Sequence, residues 1–332
     1  MVIIAHSASM LRIRAALGLV LYLQQVVVAT QTDAKETEML EIEERIVAPV
    51  THSSGAEGLA ETVHGGLRGL FSSTEIGRRV KDVLNGIQLA HPFHPAMTDV
   101  TLGAFTTAAV LDGMETVTGN GKEGATTAVI GMGLASATVT IASGLADWSD
   151  LYGQQRRVGL FHALTNITST LLFGASFVMR LRGGGTVAKA LSTTGFLTVL
   201  FGGYLGGDLA YRLGTQVNRN AWVKEPKEFV PAMREADLPP DKPTKVTVKG
   251  VNVVLVRQGD KIYAMNETCS HAHGPLSQGH LEDGSLVCPW HGSTYRLEDG
   301  RVVHGPSSFS QTHYEVQLRD GQIEVRAKVP RL

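Results

Sequence analysis

Apolar and polar positions divide this chain into stretches of different period. Three long runs, Ala125–Ala146, Val158–Met179 and Ala190–Gly207, contain no Asp, Glu, Lys or Arg. Each predicts a helix long enough to cross about 30 Å of hydrocarbon. A fourth run, Ala96–Val117, is interrupted by Asp99, Asp112 and Glu115. Those charges lie towards its ends, so it predicts a helix of the same kind. The runs are rich in Gly, Ala, Ser and Thr, small residues that let helix backbones approach closely where lipid gives no hydrophobic drive. Residues 91–213 therefore read as a four-helix membrane domain. A buried soluble bundle competes, but successive uncharged runs are hard to keep soluble.

The period changes in the last third. Lys245–Val248, Val251–Arg257, Lys261–Asn266, Glu315–Leu318 and Ile323–Arg326 read as strands, separated by Lys-Gly, Gln-Gly-Asp and Arg-Asp-Gly-Gln turns. Residues 229–329 predict an all-β domain, joined to the bundle by a linker at 214–228. Upstream, residues 1–66 read as a disordered or linker extension, acidic around Glu36–Glu44 and then Ser/Gly/Ala-rich. Within it, Arg12 and Arg14 precede the apolar run Ala15–Ala29, which is short for a span. That run suits a signal peptide, an interfacial helix or an unstructured extension. Residues 67–90, with Arg68, Arg78, Arg79 and Lys81, form an amphipathic segment expected near a membrane surface. The fold class is a four-transmembrane-helix α bundle followed by an all-β domain.

Composition adds two constraints. The 332 residues carry a net charge of −1, with 43% hydrophobic and only 18% charged residues. A chain this apolar and this unevenly apolar suits two domains, one of them in a lipid bilayer. Balanced charge gives no nucleic-acid footprint. Lys and Arg near the spans set orientation. Arg78, Arg79, Lys81, Arg156, Arg157, Arg212, Arg219, Lys224 and Lys227 lie on the side where the first helix begins, against Lys122, Arg180, Arg182 and Lys189 opposite. The first side is expected to be cytoplasmic in a bacterial inner membrane, and the β domain emerges there.

The candidate chemistry lies in the β domain. The chain has two cysteines, Cys269 in C-S-H and Cys288 in C-P-W-H, with sixteen residues between the two motifs. Each short loop supplies one thiol and one imidazole, His271 and His291. A disulfide would leave both histidines unexplained. Thiolate with imidazole suits zinc, and it also suits a [2Fe–2S] centre in which two His replace two Cys on one iron.

The run CSHAHGPLSQGHLEDGSLVCPWHGSTY, followed by a Gly-Pro-x-Ser turn at Gly305–Ser308, resembles the Rieske family. The resemblance covers residues 229–329. It implies a small β-sandwich presenting two loops, with Cys269 and Cys288 on one iron and His271 and His291 on the other. His273 falls outside that ligand pattern. Cytochrome bc-type members carry an extra loop disulfide, and Pro275 and Trp290 stand at those positions here, so the pattern is ferredoxin-like. Ser293 and Tyr295 match hydroxyl positions that hydrogen-bond to cluster and cysteine sulfur. Such donors favour the reduced cluster, and the expected potential falls inside roughly −150 to +300 mV but not at the top. The plainer reading is that both side chains only pack the loop.

The bundle also resembles a family: uncharacterised four-helix bacterial membrane proteins that open with a His-Pro-x-His-Pro box. The box is His91–Pro95, followed by Gly144 and Asp147, His162 and Asn166, and a Gly-Gly-x-x-Gly-Gly-Asp at Gly202–Asp208. Antiparallel helices would bring His91, His94, Asp147, His162, Asn166 and Asp208 to one side. Ionisable residues at such depth face an interior or a cavity. One reading is a haem b between His94 and His162, with Asp147 and Asp208 orienting the imidazoles. A second is a quinone pocket. A third is helix capping alone, for which Pro92 and Pro95 suit a helix entry.

The expected function is a membrane-anchored iron–sulfur protein that passes single electrons between a membrane-side donor, haem or quinol, and a redox partner protein or the quinone pool. It is an electron-transfer component rather than a stand-alone enzyme. A zinc-stabilised membrane scaffold and a quinone-reactive oxidoreductase are the alternatives.

Overall fold

The computed structural model describes residues 54–121 and 123–328. The expectations for residues 1–53 lie outside the described residues. From Ser54 onward the chain is helical, which corrects the expected linker up to residue 66. Helix α1 is Ser54–Ser72 and α2 is Glu75–Asn85. Composition misled here because α1 is held by tertiary contacts. Glu57 accepts from Arg156 at 2.6 Å and Arg157 at 2.8 Å, and Ala60 and Leu67 pack with Trp148, Leu151 and Leu160. Helix α2 has sharper ends. Thr74 caps it by accepting from Gly77 N, and Gly86 closes it in the left-handed region at φ 81°.

Four long helices follow: α3 Phe93–Thr118, α4 Glu123–Trp148, α5 Gly153–Leu181 and α6 Thr186–Gly207. A π-helical turn, Asp208–Arg212, extends the last. The helices pair as two hairpins, and the stacked rings of Phe105 and Phe173, 3.8 Å apart, join them at the centre. Glycine admits these rings: a Cβ on Gly133 would stand 2.5 Å from Phe105, and one on Gly195 3.0 Å from Phe173. At the far end, buried Arg180 donates to both carboxylate oxygens of Asp112 at 2.6 and 2.8 Å, and Ser192 donates to the same carboxylate. Losing one partner of such a pair costs about 3–5 kcal/mol, because the other charge stays buried.

Four helices form the bundle, but only two of them, α4 and α5, are long and apolar enough by length and composition to cross a membrane. The expectation of four such spans is corrected to that extent. Asp99, Asp112 and Glu115 dilute α3, and Gly, Ser and Thr dilute α6.

The remainder is β-rich. A six-stranded antiparallel sheet has the order β1-β10-β9-β4-β3-β2, built from β1 Val230–Arg234, β2 Thr244–Val248, β3 Val251–Gln258, β4 Lys261–Asn266, β9 His313–Arg319 and β10 Gln322–Ala327. A second sheet contains β5 His280–Glu282, β6 Ser285–Val287, β7 Thr294–Arg296 and β8 Val302–His304 in sequential order. The turn between β2 and β3 places Lys249 at φ 48° and Gly250 at φ 84°, the type I′ geometry that matches strand twist. Strand β3 reads as a continuous apolar run because both its faces are covered. Val253 and Leu255 pack with Leu238, Ile323 and Val325, whereas Val254 and Val256 pack with Met265, Leu286 and Tyr295. Cys269 and Cys288 belong to that second cluster.

Candidate metal centre

The loops following β4 and β6 carry the C-S-H and C-P-W-H motifs. Each is closed by backbone bonds before any metal is considered. Cys269 N donates to Gly274 O and His273 N to Cys269 O; Cys288 N donates to Ser293 O and Gly292 N to Cys288 O. The two loops thus repeat one backbone arrangement around each cysteine. Gly274 is required by closeness: a Cβ there would lie 2.6 Å from Cys288 Sγ.

The four side chains separate into two pairs. Both cysteines are free and buried, and their sulfurs share a hydrogen bond. That bond, with a second from Tyr295, lowers the Cys269 thiol to about 7. The same bond and burial raise Cys288. The imidazoles of His271 and His291 face each other edge-on with centroids 4.9 Å apart. Burial lowers His271 to about 3 and His291 to about 4, so both rings are neutral and carry a free lone pair. His271 Nδ1 is buried with no hydrogen-bond partner. A buried polar atom is rarely left unpaired, so this nitrogen fits a metal bond. The donor set therefore fits a cluster with sulfur ligands at one end and nitrogen ligands at the other.

Hydroxyls close the inner side. The fully buried Tyr295 Oη lies 3.1 Å from Cys269 Sγ and 3.0 Å from Ser270 Oγ, and Ser270 Oγ lies 2.9 Å from Ser307 Oγ. Ser293 is equally buried, but its Oγ accepts from Ser307 N at 3.1 Å, which ties the loop to the Gly305–Ser308 turn. Ser270 and Ser307 escaped the sequence reading. Ser270 stands inside the C-S-H motif, which was the available signal.

The imidazoles do not face open solvent. A space of about 300 Å³ before them is lined by Asp150, Leu151, Tyr152 and Gln155 from the end of the bundle, by Gly214 to Gln216 and Arg219, and by Trp290. Tyr152 stacks at a tilt against His291, centroids 5.1 Å apart. Helix α2 brackets this junction. Lys81 pairs with Asp150 at 2.7 Å, and Asn85 donates to Asp147 at 3.2 Å. On the other side, Asp82 accepts from Gly305 N at 2.9 Å and pairs with His304 Nδ1 at 2.8 Å. The expected linker at 214–228 is likewise tied down, through Arg219 N to Ser270 O and Asn220 Nδ2 to Thr268 O.

Among the bundle residues, His94, Asp147, His162 and Asn166 line one larger cavity. The carboxylates do not orient the histidines as expected. Asp147 bonds Asn85, Asp208 pairs with Arg212, and backbone carbonyls take the imidazole Nδ1 atoms instead. His91 bonds its neighbour Pro92 O and lies outside the cavity lining.

Comparison with known proteins accords with the two-part reading. Residues 228–315 match the Rieske [2Fe-2S] domain, and residues 90–219 match a predicted membrane protein family (DUF2231). The anthranilate 1,2-dioxygenase ferredoxin subunit of Burkholderia cepacia is 33% identical over 85 residues, covering 26% of this chain and 79% of that protein. The 3-phenylpropionate/cinnamic acid dioxygenase ferredoxin subunit of Escherichia coli (strain K12) is 33% identical over 89 residues, 26% of this chain and 83% of that protein. Among solved structures, the ferredoxin of carbazole 1,9a-dioxygenase from Nocardioides aromaticivorans is 29% identical, covering 31% of this chain and all of that one with a TM-score of 0.29. The chain belongs to the Rieske [2Fe-2S] family and joins that domain to a helical domain of the predicted-membrane-protein family.

Proposed function

We propose that this protein is a membrane-anchored one-electron carrier. Its [2Fe–2S] cluster is held by Cys269 and Cys288 on one iron and by His271 and His291 on the other. The observation that carries this reading is the split of the four donors: two sulfurs within hydrogen-bond reach, two facing imidazoles, and a buried His271 Nδ1 with no partner. A single zinc ion would draw all four to one point. Among the described residues no group of three or more His, Cys, Asp or Glu converges closely enough for one metal ion. When bound, the cluster supplies reversible one-electron chemistry. The loops exclude water from the sulfurs, and Tyr295 supplies a hydroxyl at Cys269 Sγ.

Support for the membrane setting comes from the bundle's surface. Only 28% of the most apolar window of α4 or α5 is buried inside the structure, far less than in the core helix of a soluble protein. Met132, Leu164, Leu171, Leu197 and Leu200 all face outward. With lipid around it, α4 and α5 are the spans, and the Lys/Arg bias supports a cytoplasmic Rieske domain at a bacterial inner membrane. The electron donor is then membrane-side, haem or quinol, and the acceptor a redox partner protein, in keeping with the dioxygenase ferredoxin subunits among the relatives.

The test is iron and sulfide content with electron paramagnetic resonance of the dithionite-reduced full chain. The expected result is two irons per chain and a rhombic signal with average g below the free-electron value. Equimolar zinc without iron, from iron-supplied cells, would overturn the reading in favour of a structural scaffold. Cysteine labelling that placed the C-terminus outside would overturn the orientation.

A further inference from the structure

A second pair of imidazoles lies in the bundle, away from the thiols. His94 on α3 and His162 on α5 both line a cavity of about 430 Å³, with their rings in an edge arrangement. Their ring centroids are 6.2 Å apart and their planes stand at 81°. Each Nδ1 lies 2.9 Å from a backbone carbonyl, Thr140 O for His94 and Gly202 O for His162. A carbonyl only accepts, so each Nδ1 carries the proton and each Nε2 keeps its lone pair. Metal-ligating histidines adopt this tautomer when a carbonyl orients them. Asn166 Nδ2 donates to the His162 carbonyl at 2.8 Å and stands 3.3 Å from Nδ1 and 3.5 Å from Nε2 of the same ring, the latter at the limit of hydrogen-bond reach.

The two rings are seated alike. A Cβ on Gly144 would lie 2.8 Å from His94 Cε1, and one on Gly206 would lie 3.0 Å from His162 Cε1. In both hairpins the accepting carbonyl comes one helical turn before the glycine. The same device on both sides of a cavity indicates a ligand that both rings grip.

Separation identifies the ligand's chemistry. Two imidazole–metal bonds of about 2.0–2.1 Å, each with about 1.1 Å more to the ring centre, span about 6.3 Å. The observed 6.2 Å fits one metal atom between the rings. A bare ion would lack ligands, since among the described residues no third His, Cys, Asp or Glu joins the pair. A planar macrocycle supplies the missing equatorial nitrogens. The cavity is within the range of about 300–1,000 Å³ usual for cofactor sites, and Phe105, Ile141, Leu145, Ala163, Ile167 and Val199 give it an apolar lining.

We propose that this cavity binds one b-type haem, with Nε2 of His94 and of His162 as its axial ligands. Binding follows from the bundle alone; its role as a partner of the cluster rests on the function proposed above. Leu151, Thr215 and Gln216 line both this cavity and the space before His271 and His291. The two sites are thus neighbours, and one electron lost by the haem iron is one gained by the cluster, in either direction.

The experiment is an optical and pyridine haemochrome spectrum of the full chain, purified in detergent from haem-supplied cells, with the Rieske resonance signal read on the same sample. The expected result is haem equimolar with chain and a low-spin, bis-imidazole spectrum. His94→Ala and His162→Ala should each lose that spectrum and keep the Rieske signal, which shows that the chain is folded, and added imidazole should restore it. A wild-type chain with its Rieske signal but quinone or no chromophore in the bundle overturns the proposal and leaves the cluster reading intact. So does either variant that retains the bis-imidazole spectrum. An intact haem spectrum without a Rieske signal supports the proposal and sinks the cluster reading.

Discussion

The molecule holds two pairs of facing imidazoles, prepared in opposite ways. In the β domain, His271 and His291 stand on loops, and His271 Nδ1 is buried without a partner. In the bundle, His94 and His162 stand on helices, and both Nδ1 atoms are engaged by backbone carbonyls. A neutral imidazole has one donor and one acceptor nitrogen, so the partner of one decides what the other can do. In the loop pair it is Nδ1 of His271 that is left without a partner; in the bundle pair the carbonyls take Nδ1 and leave Nε2. Fixation differs too. Loop closure and hydroxyl bonds hold the first pair, and glycines that let the rings lie against a neighbouring helix seat the second. A histidine pair is therefore read from the nitrogen it leaves free, and spacing in the sequence does not reveal that.

Removing a thiol separates the two pairs most sharply. Cys288→Ser should abolish the Rieske resonance signal entirely while leaving the optical spectrum of the bundle unchanged. Loss of both signals together would mean that the pairs do not fold independently. The next effect concerns the joint between them. Asp82→Ala deletes the acceptor for Gly305 N and the partner of His304, at a cost of about 1–2 kcal/mol. Faster hydrogen exchange at residues 304 and 305, with both cofactor signals retained, is the expected result; unchanged protection would show that the bracket is not needed.

A smaller effect is expected inside the loop site. Tyr295→Phe removes the hydroxyl 3.1 Å from Cys269 Sγ. A differential contribution of about 1 kcal/mol between redox states corresponds to roughly 40 mV for one electron. The potential should fall by that order, because the hydroxyl favours the more negative reduced cluster. A redox titration with no change would assign Tyr295 to packing alone.

The smallest effect is on stability against acid. Burial and then Lys328 lower the pKa of His313, whose Nε2 is buried without a partner. The unfolded chain, near the usual value of about 6.5, binds the proton more readily than the folded one. Stability should therefore fall as pH drops below that value, until the folded group also protonates. After solvent screening the effect is well under about 1 kcal/mol. His313→Gln should flatten the slope of unfolding midpoint against pH relative to wild type, with cluster lability common to both.

Much of this was legible beforehand. The uncharged runs located the middle of three bundle helices, and α5 and α6 extend past them to Arg180 and Lys189, which pair with Asp112 and Glu115 on α3. The paired Cys and His motifs located the loops. Helix α1 was missed because residues far along the chain, Arg156 and Arg157, hold it. The small sheet escaped because its strands are three residues long, too short for a period to show. The carbonyls of Thr140 and Gly202 were unreadable in principle, since a backbone oxygen has no residue type. Gly144 and Gly206 were their visible trace, and they look the same as glycines that serve helix packing.

Helix α2 sets a length. Lys81 grips the end of the bundle and its neighbour Asp82 grips the Rieske domain, so one peptide link spans the junction. Electron tunnelling between two centres weakens exponentially with the gap that separates them. A tilt of α2 by a fraction of a turn would move one grip relative to the other and change that gap directly. In the relay proposed above, transfer across the junction would depend on the register of two adjacent side chains on a short helix that bears no redox group of its own.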